Sequence, residues 1–350
     1  SRWDLGEWSL EAMEAFTRLV NGSTESAIVW GKDFQTGELV KIYRSFFSYN
    51  SLQQLAEISY QSPCYFMPDE WFSGSKYTFS YDAAGNETEA LVAYFQQNSE
   101  SWYLANRLVK TYDEQGNLLS ESFQSQGFGE NFVWENSNRF TQKLNSQGQI
   151  AQVKGFNWNF SLSDWWLTWQ NDFAYNELGL RVEEEFGYFD YCTASIVPSS
   201  KLTNTYNDFG QLAEQTYSIW TGTIWSPLGK ALAQYDSTGM LAELIYQYFD
   251  LSEWVNNRRQ EYSYDSTGQV AEIKIYQWYF VEWYLRNRVV FSYNQEGLLT
   301  YQTYQHLSPD GWKNLNRWLF DYFPDGKMSS ETYEFFQELT WLKIFQAHYS

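Results

Sequence analysis

Two carboxyl groups at a fixed separation are what glycoside hydrolysis uses as acid and base, and Glu183, Glu184 and Glu185 offer such a pair. Their context argues for a different role. Neighbours along a strand point to opposite faces, and a glutamate recurs at one phase of a longer pattern as Glu57, Glu89, Glu183, Glu214, Glu243 and Glu272. Only two histidines exist, His306 and His348, and no Gly-x-Ser-x-Gly, His-Glu-x-x-His or phosphate-loop string occurs. Cys64 and Cys192 lack metal-ligand spacing. One carboxylate per turn is too sparse for a repeated calcium site. The residues therefore read as those of a non-enzyme, with no cofactor and no metal.

The pattern behind the recurring glutamate is a repeat. Turn glycines fall at Gly85, Gly116, Gly148, Gly179, Gly210, Gly239, Gly268, Gly297 and Gly326, at spacings of 31, 32, 31, 31, 29, 29, 29 and 29 residues. Fourteen residues before the glycine stands Trp71, Trp102, Trp134, Trp165, Trp225, Trp254, Trp283 or Trp312, with Ile196 the exception. Nine before it is a basic residue, from Lys76 and Arg107 to Arg317, with Gln170 the exception; four before it is a tyrosine, broken only by Leu144. An earlier copy has Gln53 in place of glycine and keeps Arg44, Tyr49 and Asn50 in phase, which makes ten units. Asp or Asn three residues before Gly specifies a three-residue hairpin loop closed by a left-handed glycine.

That turn predicts a register in which Tyr264 faces Val270, Tyr262 faces Glu272 and Arg259 faces Ile275. Alternation then puts Trp, Tyr and the aliphatic residue two after glycine on one buried face. The basic residue falls on the other, opposite an aromatic of the same hairpin, as Arg288 opposite Tyr304. The fold class expected is all-β: a repetitive antiparallel meander of about ten hairpins, period 29–32 residues, in one long curled or self-packed sheet. A short helix is expected over Ser9 to Val20, where Leu10, Met13, Phe16 and Val20 share a side. Residues 1–38 read as this helix plus an irregular strand, a cap or assembly segment, and residues 39–350 as the repeat domain ending in a half-repeat.

Composition narrows the partners. Aromatic residues make up 21% of the 350, and the formal charge is −20 with a pI near 4.5. Such a charge repels nucleic acid and anionic membrane and suits neutral partners such as glycans. No apolar run is long enough for a membrane-spanning helix. Cys64 and Cys192 lie four units apart at similar phase, about 38 Å in a flat meander at about 4.8 Å per strand, so two free thiols are expected. Trp158, Trp220, Trp278 and Phe280, at loops between hairpins, are the candidate glycan contacts. The final half-hairpin, with Trp341 and Tyr349, and the segment Ala27 to Tyr43, with Trp30, are the candidate surfaces for head-to-tail pairing with a second copy of the chain.

The string Trp-x-x-x-Asn-Arg, four residues, Tyr-Asp/Asn-x-x-Gly is complete in Trp102 to Gly116 and Trp283 to Gly297. It resembles the hairpin repeats of secreted surface proteins of Bacteroidetes-type bacteria, often exported by the type IX secretion system. The Tyr-Asp-x-x-Gly element is more distantly similar to the YD repeats of Rhs-type shells. The resemblance implies a secreted, cell-surface location and a structural or adhesive role, with self-assembly into a filament as one form. The alternative function is a carbohydrate-binding surface module using exposed Trp and Tyr.

Overall fold

The computed structural model describes the chain apart from residues 1, 5–6, 10–11, 20–22, 33–38, 64–69, 128–132, 338–339 and 349–350. It is all-β among the described residues, and every strand from Ala12–Arg18 to Thr340–His348 is antiparallel to the partners recorded for it. The chain divides into two compact bodies, Leu10–Phe173 with Glu185–Ser199, and Ser1–Ser9 with Ala174–Glu184 and Ser200–Ser350. In the first, the meander runs from Ala12–Arg18 through Thr24–Lys32 and Leu39–Tyr49 to Asp164–Tyr175. In the second it runs from Ser195–Tyr206 to Thr340–His348, where a short ribbon, Arg2–Asp4 with Glu7–Ser9, adds a backbone pair between Arg2 and Phe345.

The helix expected over Ser9 to Val20 is a strand, Ala12–Arg18, paired with Thr24–Lys32. The segment Ala-Met-Glu-Ala-Phe-Thr-Arg satisfies a two-residue alternation as well as a helical one, and a neighbouring strand with open hydrogen bonds decides between them. This adds a hairpin before the ten counted from turn positions. Gly22 lies 31 residues before Gln53, the period of the repeat.

The turns form as their residues dictate. In Asp113 to Asn117, the glycine amide donates to the Asp113 carbonyl at 3.0 Å, and the Asp113 carboxylate accepts from the amides of Gln115 and Asn117 at 3.0 and 2.8 Å. Gly116 has φ +83°, a conformation a Cβ disfavours. Gln53 takes the same left-handed place with φ +62°.

Register follows the turn for one pair and then departs. Tyr264 faces Val270, but Ser263 faces Glu272 and Arg259 faces Tyr276, because Ala271 is an extra, bulged residue. A second bulge sits in the first strand of each hairpin: Tyr246 pairs with Arg258 and Gln247 with Asn256, leaving Asn257 extra. The same place is occupied by Gly74, Ala105, Arg286 and Leu315. Each bulge reverses the alternation of side chains. Tryptophan and tyrosine, an even number of residues apart, therefore lie on opposite faces, and the basic residue joins the tryptophan.

Neither body is packed around a core. Among the described residues the buried hydrophobics are Ala27 and Ala93, and no large side chain is fully buried. Within each body, substantial contacts join neighbouring strands, so the self-packed sheet with one buried aromatic face is replaced by a layer with half-covered rings on both sides. Cohesion must come from contacts between adjacent hairpins.

Candidate functional site

Those contacts use the residues that looked capable of chemistry. The basic residue of one repeat reaches back to the glutamate of the preceding repeat and forward to the tryptophan of the next. Lys76 lies 3.5 Å from Glu57 and 4.9 Å from the Trp102 ring centre. Lys201 lies 3.3 Å from Glu183 and 4.8 Å from Trp225; Lys230 lies 3.6 Å from Glu214 and 4.6 Å from Trp254. Arg288 lies 2.9 Å from Glu272 and 4.4 Å from Trp312. Arg107 and Arg259 repeat the arrangement with Glu89 and Trp134, and with Glu243 and Trp283. The cation–aromatic ladder is thus present: most of its rungs join successive hairpins, and Arg139 over Phe156 and Arg259 over Tyr276 also span the two strands of one hairpin at 5.0 and 4.3 Å.

The exceptions support this pairing. Gln170 replaces the cation of one repeat and Ile196 the tryptophan of the next, the two positions that elsewhere make a single rung. Gln152 replaces the glutamate that would face that cation, and the amides of Gln152 and Gln170 both donate to Asp172.

On the opposite face the tyrosine four before glycine is a staple. The hydroxyls of Tyr81, Tyr112, Tyr235, Tyr264, Tyr293 and Tyr322 donate to backbone carbonyls of the preceding hairpin at 2.7–2.9 Å. Burial pushes the phenols of Tyr81, Tyr112, Tyr264, Tyr293 and Tyr322 above their usual value, so the donors stay protonated. Where Leu144 breaks the series, the Gln142 amide donates to the Leu118 carbonyl at 2.7 Å.

At the turns, the side-chain amides of Asn86 and Asn117 hold the Asp82 and Asp113 carboxyls below the usual range. The hydroxyls of Thr238 and Thr267 do the same for Asp236 and Asp265. Shallow grooves run between successive turns. One of about 610 Å³ is bounded by Asp265, Gln269 and Tyr293, and its equivalent of about 500 Å³ by Asn207, Gln211 and Tyr235.

Three of the four candidate glycan contacts belong to this framework. Trp158, Trp220 and Trp278 meet Trp165, Trp225 and Trp283 edge to face at 5.0–5.3 Å. The cations Arg139, Lys201 and Arg259 lie over those partner rings, so one face of each is occupied. Phe280 stands apart at a loop tip with φ +53° and 95% exposure. Of the assembly candidates, Ala27 and Trp30 lie on Thr24–Lys32, which has partners on both sides, and Tyr43 lies on Leu39–Tyr49. Trp341 packs on Phe336 and under Arg317, while Tyr349 falls outside the described residues.

The acidic triplet is engaged: Glu183 with Lys201, Glu184 with Arg181 at 3.2 Å, and Glu185 in contacts of its own. His306 Nδ1 lies 2.9 Å from the Asn287 side-chain oxygen. Among the described residues no three His, Cys, Asp or Glu side chains converge on a metal position. No helix among them is long and apolar enough to cross a membrane. Cys192 is a free, exposed thiol, and Cys64 lies outside the described residues.

One constellation was not singled out from sequence. Tyr43, Tyr60, Tyr77 and Tyr94 recur every 17 residues and line a groove of about 500 Å³. The first three meet edge to face at 5.9 and 5.8 Å.

No family model matches the chain, and no curated protein matches it. Solved structures do. The crystal structure of TcdB2-TccC3-Cdc42 is similar at 10% identity and TM-score 0.35, over 90% of this chain and 20% of that one, so this chain spans about a fifth of its length. A DUF3836 family protein from Parabacteroides distasonis is similar at 20% identity and TM-score 0.20, over 26% of this chain and 91% of that one. A porin-like protein from Bacteroides uniformis is similar at 11% identity and TM-score 0.26, over 74% of this chain and 97% of that one.

Proposed function

We propose that this chain is a non-enzymatic structural or adhesive repeat scaffold that works outside the cell. The supporting observation is where the reactive side chains go: glutamate, cation, tryptophan and tyrosine each hold a hairpin to its neighbour, at equivalent positions along the chain. Secretion, by a type IX route, is part of the proposal and rests on the repeat strings of the sequence. Finding the protein retained inside the producing cell would refute it.

A scaffold held together hairpin by hairpin should yield hairpin by hairpin. Stretching it between its ends in a force spectrometer is expected to release steps of 29–32 residues, about 100 Å of extended chain each. One rupture of the whole chain would count against the reading, as would a hydrolase activity lost on Glu183→Gln or Glu184→Gln. Head-to-tail assembly through the terminal strands is a specific version. Its acceptor edge would be Ala12–Arg18, since Thr24–Lys32 already has both neighbours, and its other half the stretch of Thr340–His348 beside the single pair that Phe345 makes with Arg2. Deleting residues 341–350, which removes the strand Thr340–His348, should then abolish polymers seen by negative-stain electron microscopy while the remaining hairpins keep their β structure; persisting polymers would refute this version.

A further inference from the structure

We propose that the groove lined by Tyr43, Tyr60, Tyr77 and Tyr94 binds a neutral oligosaccharide, whose pyranose rings lie on the tyrosine faces and whose hydroxyls pair with the phenols. This rests on the adhesive form of the function above and names its ligand class. The four side chains share one face: Ser45 pairs with Tyr60, and Ser75 pairs with both Tyr60 and Tyr94. Gly74, the bulged residue between Ser73 and Ser75, lines the groove with no side chain to fill it. The volume, about 500 Å³, falls within the roughly 300–1,000 Å³ usual for ligand clefts.

Hydrogen bonding separates these tyrosines from the stapling ones. The stapling hydroxyls each donate to a carbonyl, whereas none of these four has a hydrogen-bond partner among the described residues. The Tyr60 ring lies 5.9 Å from Tyr43 and 5.8 Å from Tyr77, and its phenol is pushed up by burial and then by these two neighbours. Phenols both donate and accept, as sugar hydroxyls do, and the ring faces offer the flat apolar surface that axial C–H groups cover. Among the described residues no charged side chain lines the groove, and the chain carries −20, so an anionic saccharide is disfavoured and a neutral one is not. The ladder tryptophans present a weaker platform, since a cation already lies over many of them.

The test is calorimetry and saturation-transfer NMR on the whole chain with cellohexaose, maltohexaose, chitohexaose, an oligogalacturonate and a proline decamer. At least one neutral hexasaccharide is expected to bind, with the oligogalacturonate weaker. Tyr94→Ala, at a side chain 47% exposed and therefore safe for folding, should weaken binding about tenfold. Gly74→Val, whose Cβ would stand 3.4 Å from the Tyr60 carbonyl oxygen, fills the groove without changing a tyrosine side chain and should weaken it as much. Changing all four tyrosines to Phe keeps the rings and should still reduce affinity. Binding by none of the neutral hexasaccharides, affinity unchanged in Tyr94→Ala and Gly74→Val, or binding of the proline decamer alone would each overturn the proposal. The stepwise mechanical release expected of the scaffold would survive any of those results, so the two readings fail separately.

Discussion

If a rung joins three successive hairpins, the Arg288–Trp312 contact should be a coupling that a double-mutant cycle can isolate. Arg288 lies 4.4 Å from the Trp312 ring and 2.9 Å from Glu272, with its side chain 27% exposed. A contact of this kind, neither fully exposed nor dry, is worth about 1 kcal/mol, and a half-exposed ion pair less than about 1 kcal/mol. Arg288→Met is then expected to cost about 1–2 kcal/mol, and Trp312→Leu somewhat more because ring burial is lost as well. The double variant should fall short of the sum by about 1 kcal/mol, the shared contact being removed only once. Global unfolding is a poor readout for a chain whose repeats contact only neighbours. Amide hydrogen exchange read by mass spectrometry over Leu299–Ser308 and Gly311–Tyr322 is a better one, and 1 kcal/mol there is about a fivefold change in opening. Exchange over Leu55–Pro63 should not move. Additive single effects, or equal coupling between Gln170 and Ile196 in the same cycle, would refute the ladder.

Three further outcomes follow from the turns and staples. The Asp265 carboxyl, held down first by the Thr267 hydroxyl, should titrate by carbon-13 NMR below its ordinary value of about 4. A depressed folded value means the turn's contribution is present above the unfolded value and lost as pH falls through the folded one; Asp265→Asn should abolish that acid response, and a midpoint at or above 4 refutes it. Tyr264→Phe removes a 2.8 Å donation to the Leu241 carbonyl and should destabilise the pair of hairpins by about 1 kcal/mol; no change in exchange over Leu241–Asp250 refutes the staple. Gln53→Gly relieves a side chain at φ +62° and should raise local stability by about 1 kcal/mol in the same measurement, against which an unchanged or faster exchange would count.

The turns were legible because Asp or Asn and Gly stand at fixed offsets in all but two of them, where Phe323 and Gln53 take a place, and the Tyr264–Val270 pair followed from them. What alternation could not supply was the bulges. One extra residue such as Ala271 or Asn257 leaves no mark in composition, yet it changes which face every later side chain occupies. The cations were visible, but their aromatic targets were sought across one hairpin, where Arg139 and Arg259 do meet them, when most lie in the next. The coupled absence of a cation at 170 and a tryptophan at 196 was a signal of that reach. Residues 12–18 satisfy both periodicities, so only the partner strand settles them. The tyrosine groove was hidden differently: its 17-residue spacing is near half the repeat, and it emerges only when adjacent strands are aligned.

Because every rung is written between equivalent positions of consecutive hairpins, the ladder is indifferent to how many hairpins it contains. Removing residues 240–268, one 29-residue period, would bring Trp283 to the place Trp254 holds against Lys230, and Tyr293 would keep its staple to the Val270 carbonyl, the two now standing where Tyr264 and Leu241 stood. A gene encoding such a chain can lengthen or shorten by whole periods through recombination between its own copies, and each product closes its seams with residues already in place. Length then becomes a quantity that selection can adjust separately from the fold.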